Sequence, residues 1–409
     1  PMTSSFLPVP LLDGTNLFCS AQAVLPDGRV LVAGGHFADD VGLATGRIFD
    51  PATNLWSATP DMSAGRWYPT LTTLPNGKVL VLSGEEGGRG DYARVPEVYD
   101  PATNTWSTLP LASLSLPYYP HAFVLPNGRV AVTGTAEAAV STRVLDVATQ
   151  TWTMVSSQLF DAYSSAMYLP GKILKTGKST NSLDLVQASA GSYVIDMTAA
   201  SPIWRQVQSM AFRRAYHVET LLPDGSVLVT GGGQTTGDYD IPNAVYAAEL
   251  WSPTTETWTT LASMQKPRLY HGSALLLPDG RVLVTGGGRS PGPDVRDQEN
   301  LEIFSPPYLF KGTRPTITSA PASAAHNQPF AVSTPDASSI SKVALVSIGN
   351  MTHGINMSQR YIPLSFAANG PTSLTVTAPV DTNLAPPGIY MLFIIDAQGV
   401  PSIASFLSF

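Results

Sequence analysis

Leu25-Pro26-Asp27-Gly28-Arg29-Val30-Leu31-Val32-Ala33-Gly34-Gly35 decides how this 409-residue chain folds, because it recurs. A short apolar run, Leu-Pro-Asp/Asn-Gly, then a strand closing in Gly returns at Leu74-Pro75-Asn76-Gly77, Leu125-Pro126-Asn127-Gly128, Leu222-Pro223-Asp224-Gly225 and Leu277-Pro278-Asp279-Gly280, with a shortened copy at Leu169-Pro170-Gly171. Asp-Gly and Asn-Gly between apolar runs predict hairpins whose two central residues both take φ > 0. Fixed-period self-similarity means stacked copies of one supersecondary unit.

A second phrase follows each strand. Phe49-Asp50-Pro51-Ala52-Thr53-Asn54-Leu55-Trp56 and Tyr99-Asp100-Pro101-Ala102-Thr103-Asn104-Thr105-Trp106 are the clear copies, and degenerate ones end at Trp152, Trp204 and Trp258. Strand, turn and a strand opening on Trp make the outer hairpin of a four-stranded blade. The Gly pair with the spaced Tyr/Trp is the kelch signature, whose blades run about 50 residues. The expected fold is therefore all-β: a kelch-type β-propeller over 1–312, with six repeats recognised and seven blades expected. The recurring Trp and Gly are assigned to scaffold. After Phe310 the grammar changes at Thr313-Arg314-Pro315, and alternating strands such as Lys342–Val346 and Met391–Ile395 predict an immunoglobulin-like β-sandwich over 313–409.

Composition agrees with many tight turns: Gly 34, Pro 35 and only 13 % charged residues. A formal net charge of −7 without a basic run argues against nucleic acid and membrane surfaces as partners. No apolar run is long enough to cross a bilayer. The opening Pro1-Met2-Thr3-Ser4-Ser5-Phe6 is not a signal peptide, and an upstream segment is expected to have been removed or left out. The single cysteine, Cys19, excludes an intrachain disulfide.

Stepping back seven residues from each turn proline lands on Cys19, Tyr68, Tyr119, Tyr163, Tyr216 and His271. Equivalent positions of a propeller lie on a ring about its axis, so a thiol, four phenols and an imidazole are expected at one end of the channel. Tyr270 precedes His271, giving two ligands side by side. Phenolate with imidazole suits Cu(II) better than Mg or Ca.

The chain resembles the copper radical oxidases, the galactose oxidase and glyoxal oxidase family, along essentially its whole length. Four segments carry the resemblance: Phe18-Cys19-Ser20, Arg66-Trp67-Tyr68, Arg268-Leu269-Tyr270-His271, and Met351-Thr352-His353-Gly354-Ile355-Asn356 with Gln359-Arg360. The resemblance implies Cu(II) held by Tyr68, Tyr270, His271 and His353, the last from a loop of the C-terminal domain. It further implies a thioether between Cys19 and Tyr68 that serves as a radical cofactor, and Tyr270 as general base. The implied activity is oxidation of small aldehydes or primary alcohols by O2, giving acid or aldehyde and hydrogen peroxide, in a secreted and monomeric protein. His36, His121, His217 and His326 are expected to lie outside the metal site.

Two departures from the galactose-active members are expected. The stretch Ser83-Gly84-Glu85-Glu86-Gly87-Gly88 lacks the aromatic that stacks on the cross-linked tyrosine there, with Glu85 and Glu86 expected at the surface. Leu116-Pro117-Tyr118-Tyr119-Pro120-His121 offers no arginine to grip a sugar. The alternative is a non-catalytic kelch propeller that binds carbohydrate or protein.

Overall fold

The computed structural model describes residues 9–11, 13–159, 162–178, 186–288 and 297–409. The opening hexapeptide lies outside the described residues. Each recognised repeat becomes one antiparallel sheet. Five have four strands and the sixth has three among the described residues: Gly272–Leu276, Val282–Gly286 and Leu301–Phe304. A seventh sheet is not among the described residues.

The repeated turn differs from the expected one. Gly28, Gly77, Gly128, Gly225 and Gly280 have φ between 78° and 89°, while the Asp or Asn before each is absent from the left-handed residues. Gly28 N–H donates to Leu25 C=O at 2.9 Å and Leu25 N–H to Arg29 C=O at 2.7 Å. This is a three-residue loop: a type I turn followed by a left-handed Gly. Proline sets the φ that the first turn position needs. Asp27 Oδ1 then accepts the Arg29 N–H at 3.0 Å, and every full-length copy repeats that bond.

The inner strands of the four middle sheets bury both faces because each blade packs on its neighbours, whereas Ala21–Val24 and Gly272–Leu276 in the first and last sheets alternate buried and half-buried residues. Between blades the core is apolar, but three arginines from the repeat also lie there. Arg66 reaches Glu97 at 2.9 Å, Arg214 reaches Glu249 at 2.8 Å and Arg268 reaches Glu302 at 3.2 Å. Arg66 and Arg214 are fully buried with their partners, so losing either partner would strand a charge at a cost of roughly 3–5 kcal/mol.

The C-terminal sandwich packs a three-stranded sheet on a four-stranded one. The expected strands pair directly, with Val346 opposite Met391 and Leu345 opposite Leu392. The outer face of the larger sheet carries Ala344, Val346, Phe393 and Ile395 into a core shared with Leu174, Leu221, Val227 and Trp251 of the propeller. From this base the hairpin Asn350–Thr352/Ile355–Met357 enters the channel and touches the inner strand of all six sheets.

Candidate active site

Five of the six ring residues have left-handed backbone: Cys19 (φ 61°), Tyr68 (64°), Tyr119 (43°), Tyr216 (62°) and His271 (66°). The shortened repeat at Tyr163 is not among them. This conformation costs a non-Gly residue about 1–2 kcal/mol, so its recurrence at one repeat position means the surrounding fold imposes it. Part of that constraint runs from blade to blade. Tyr68 N–H donates to Cys19 C=O, and Tyr119 N–H donates to Tyr68 C=O, both at 2.9 Å.

The ring closes around His353, which the channel hairpin presents at φ 43°. Its imidazole centroid is 4.5 Å from Tyr68, 4.6 Å from Tyr119, 5.2 Å from Tyr270 and 4.6 Å from His271. The Tyr68 and Tyr270 hydroxyls are 2.7 Å apart. One ligating atom each from Cys19, His271 and His353 lies within 4.8 Å of the others. The structure thus brings together Cys19, Tyr68, Tyr270, His271 and His353. His36, His121, His217 and His326 do not join that cluster. His121 and His217 are buried between blades, where desolvation pushes His121 down to about 3.

Electrostatics prepare the site for a cation. Burial raises the Tyr68 and Tyr270 hydroxyls well above their usual range, and nearby Cys19 and Glu137 respectively add to the shift. Burial, with His271 alongside, lowers His353 far below the usual imidazole range and keeps it neutral. His353 Nδ1 is 2.6 Å from Thr352 Oγ1, while its Nε2 is buried without a hydrogen-bond partner. His271 Nδ1 is likewise fixed, 2.9 Å from Gly288 O. A histidine pinned at one nitrogen presents the other to a metal. Two imidazoles, two phenols whose ionised forms need a counter-charge, and a buried nitrogen lacking a partner fit a copper ion.

Two expectations from the sequence are corrected. Tyr68 does carry a stacked aromatic: the Trp67 indole lies over it at 4.0 Å and 21°. Glu85 is fully buried rather than at the surface. Its Oε1 accepts the Tyr118 hydroxyl at 2.8 Å and also the Gly90 N–H. Burial and neighbouring Asp40 outweigh these bonds and raise Glu85 to about 7. Glu86 is exposed as expected.

Sequence reasoning also missed Glu137, whose carboxylate accepts the Tyr270 hydroxyl at 2.5 Å. It sits in an irregular segment after the strand Val130–Thr135, where no repeat feature marks it. Arg89 lines the same mouth from another loop.

Residues 169–308 match the glyoxal oxidase N-terminus, and residues 314–408 match the galactose oxidase-like early set domain. Kelch motifs match at 17–63 and 66–111. The chain is 30 % identical to galactose oxidase of Gibberella zeae over 95 % of its own length and 60 % of that enzyme's. By these matches it resembles the galactose oxidase/glyoxal oxidase family over nearly its whole length. Aldehyde oxidase GLOX of Vitis pseudoreticulata is 28 % identical, over 98 % of this chain and 83 % of the relative. Among solved structures, a fungal alcohol oxidase of the AA5 family in complex with copper superposes with a TM-score of 0.85 at 25 % identity, covering 96 % of this chain and 85 % of that one. Within this family framework the ring, the channel hairpin and the sandwich make one unit. The chain spans 60 % of the length of the galactose oxidases it matches.

Proposed function

We propose that this chain is a copper-dependent oxidase of small aldehydes or primary alcohols, a secreted monomer with its propeller over 1–312 and its sandwich over 313–409. The buried, unpartnered Nε2 of His353, set among Tyr68, Tyr270 and His271, carries the proposal. Those four residues would hold the metal. Bound copper supplies one of the two one-electron stores that an alcohol oxidation requires.

Tyr68, joined to Cys19 by a thioether, would supply the other as a radical. Several contacts support this: Cys19 shares a hydrogen bond with the Tyr68 side chain, and Trp67 covers the phenol ring. Tyr270 would take the hydroxyl proton of the substrate, with the Glu137 carboxylate fixing the direction of its O–H. The Tyr68 radical would take a hydrogen atom from the adjacent carbon, and the alcohol leaves as an aldehyde. A hydrated aldehyde reacts the same way and leaves as an acid. Dioxygen is the terminal oxidant, reduced by two electrons to hydrogen peroxide.

Copper analysis with a peroxide assay tests this. His271→Ala and His353→Ala should lose copper and turnover, whereas His326→Ala, in the sandwich, should lose neither. Tyr270→Phe should retain copper and lose about 10²–10⁴ in turnover, the usual worth of a general base. Copper retained equally by all four variants would overturn the ligand set.

A further inference from the structure

Above the ring opens a cleft of about 680 Å³ whose charge is one-sided. Carboxyl groups line it from floor to rim. Glu137 lies at the floor, buried against Tyr270. Asp238 stands on the wall, in the segment whose backbone carbonyl accepts the Tyr270 N–H. Asp39 and Asp40 sit at the rim, on the hairpin formed by His36–Ala38 and Val41–Gly42. Arg89 is the one Lys or Arg among the described lining residues. The walls between these groups are largely aromatic, and a low-dielectric cleft lined by one sign of charge focuses its field on whatever enters.

We propose that this cleft selects substrates by charge, admitting neutral and cationic alcohols and aldehydes and excluding those that carry a carboxylate, with Glu137 and Asp238 as the specificity-determining residues. The inference rests on the oxidase reading above and adds a substrate class to it. An anion meets carboxyl groups along the whole path to Tyr270, and the single guanidinium at the mouth is outnumbered there by Asp39 and Asp40. A cation meets the same groups as attraction, and tyrosine faces add to it. The acid formed from an aldehyde is itself an anion, so the same field favours its release and keeps it from competing with fresh substrate.

The test uses the copper-loaded enzyme and pairs matched in shape: glycolaldehyde against glyoxylate, and choline against its neutral isostere 3,3-dimethylbutan-1-ol. At low ionic strength kcat/KM for glyoxylate should be lower than for glycolaldehyde by about tenfold or more, and choline should equal or exceed its isostere. Added salt, Asp238→Asn and Glu137→Gln should each narrow the first gap, and Arg89→Ala should widen it. Glyoxylate as good a substrate as glycolaldehyde, with the advantage lost in Arg89→Ala, would overturn the proposal and make Arg89 an anion clamp.

A binding measurement separates this failure from failure of the oxidase reading. Tryptophan fluorescence, reporting through Trp67, should respond saturably to tetramethylammonium and not to acetate, whether or not copper is bound. The reverse order sinks charge selection. The expected order in a protein that makes no peroxide would leave charge selection standing and overturn the oxidase.

Discussion

The indole of Trp67 lies on the phenol ring of Tyr68, 4.0 Å away and within 21° of parallel, although the two residues are neighbours in the chain. Tyr118 stands edge-on to both rings, 5.8 Å from the indole and 5.2 Å from the phenol. A stacked indole spreads and shields an unpaired spin on the phenol. Trp67→Ala should therefore shorten the lifetime of the oxidised, radical-bearing enzyme by about tenfold or more, while copper content stays at the parent level. Trp67→Phe should fall between, since aromatic stacking is worth about 0.5–1.5 kcal/mol beyond area. Decay of the radical's optical band in oxidant-treated protein is the measurement, and an unchanged lifetime in Trp67→Ala would remove the indole from this role.

Cys19 and Tyr68 share one repeat position on adjacent blades, and Tyr68 N–H is bonded to Cys19 C=O at 2.9 Å. Copper and oxygen should convert the pair to a thioether, with loss of the thiol hydrogen and one ring hydrogen. Intact mass should fall by two hydrogens, and the denatured product should no longer titrate a thiol. Tyr68→Phe should keep both hydrogens and the thiol. A copper-treated parent that still titrates one thiol rules the bond out.

Gly354 follows the channel histidine at φ +75°, and a Cβ there would lie 2.3 Å from the Tyr163 ring. Gly354→Ala removes no proposed ligand, yet it must push the hairpin away from Tyr163 and move His353 with it. Copper affinity should drop at least about tenfold, the low end for disturbing a ligand's supporting contacts, as measured by competition with a chelator of known strength. Parent-like affinity would mean that the hairpin tip is free to adjust.

Glu219 is buried against Thr176 of the neighbouring sheet, where desolvation raises it from 4.5 to about 8 and the Thr176 hydrogen bond and nearby Lys175 only partly offset this. Between those values the folded state holds a proton that the unfolded chain has released. Its contribution to stability is therefore complete below about pH 4.5 and lost as pH rises through about 8, at up to about 1.4 kcal/mol per pH unit. Glu219→Gln should lose less stability than the parent between about pH 5 and about pH 8 in urea titrations. Parallel curves would show that Glu219 is ionised throughout.

The ring was legible because a repeat converts sequence phase into angular position. Cys19, Tyr68, Tyr119, Tyr216 and His271 needed only one count back from each proline. His353 needed the family resemblance, since the sandwich does not repeat and nothing in its strand pattern sends a hairpin into the channel. The stacking of Trp67 on Tyr68 was not legible, for a backbone reason. Successive residues of a strand point to opposite faces, so neighbouring rings should not stack. The left-handed φ at Tyr68 breaks that alternation and lays the two rings together. Glu85 was misplaced because Glu-Glu in a Gly-rich loop reads as solvent-facing, whereas Glu85 pairs with Trp67 through two backbone hydrogen bonds, 2.7 and 2.8 Å long, that draw it inward.

The hairpin that touches all six inner strands also sets a timetable for biosynthesis. Cys19 and Tyr68 leave the ribosome 285 residues ahead of His353, counting from Tyr68. At about 5–20 residues per second this gap lasts roughly 15–60 s. Throughout it the two side chains can meet while the channel between the blades is still vacant. His353 is one of the proposed copper ligands, so on the proposed function any copper-dependent oxidation of Tyr68 would wait for about the last hundred residues to fold and thread their hairpin home. On that proposal, a nascent or truncated chain would be a propeller that keeps its thiol until the hairpin arrives.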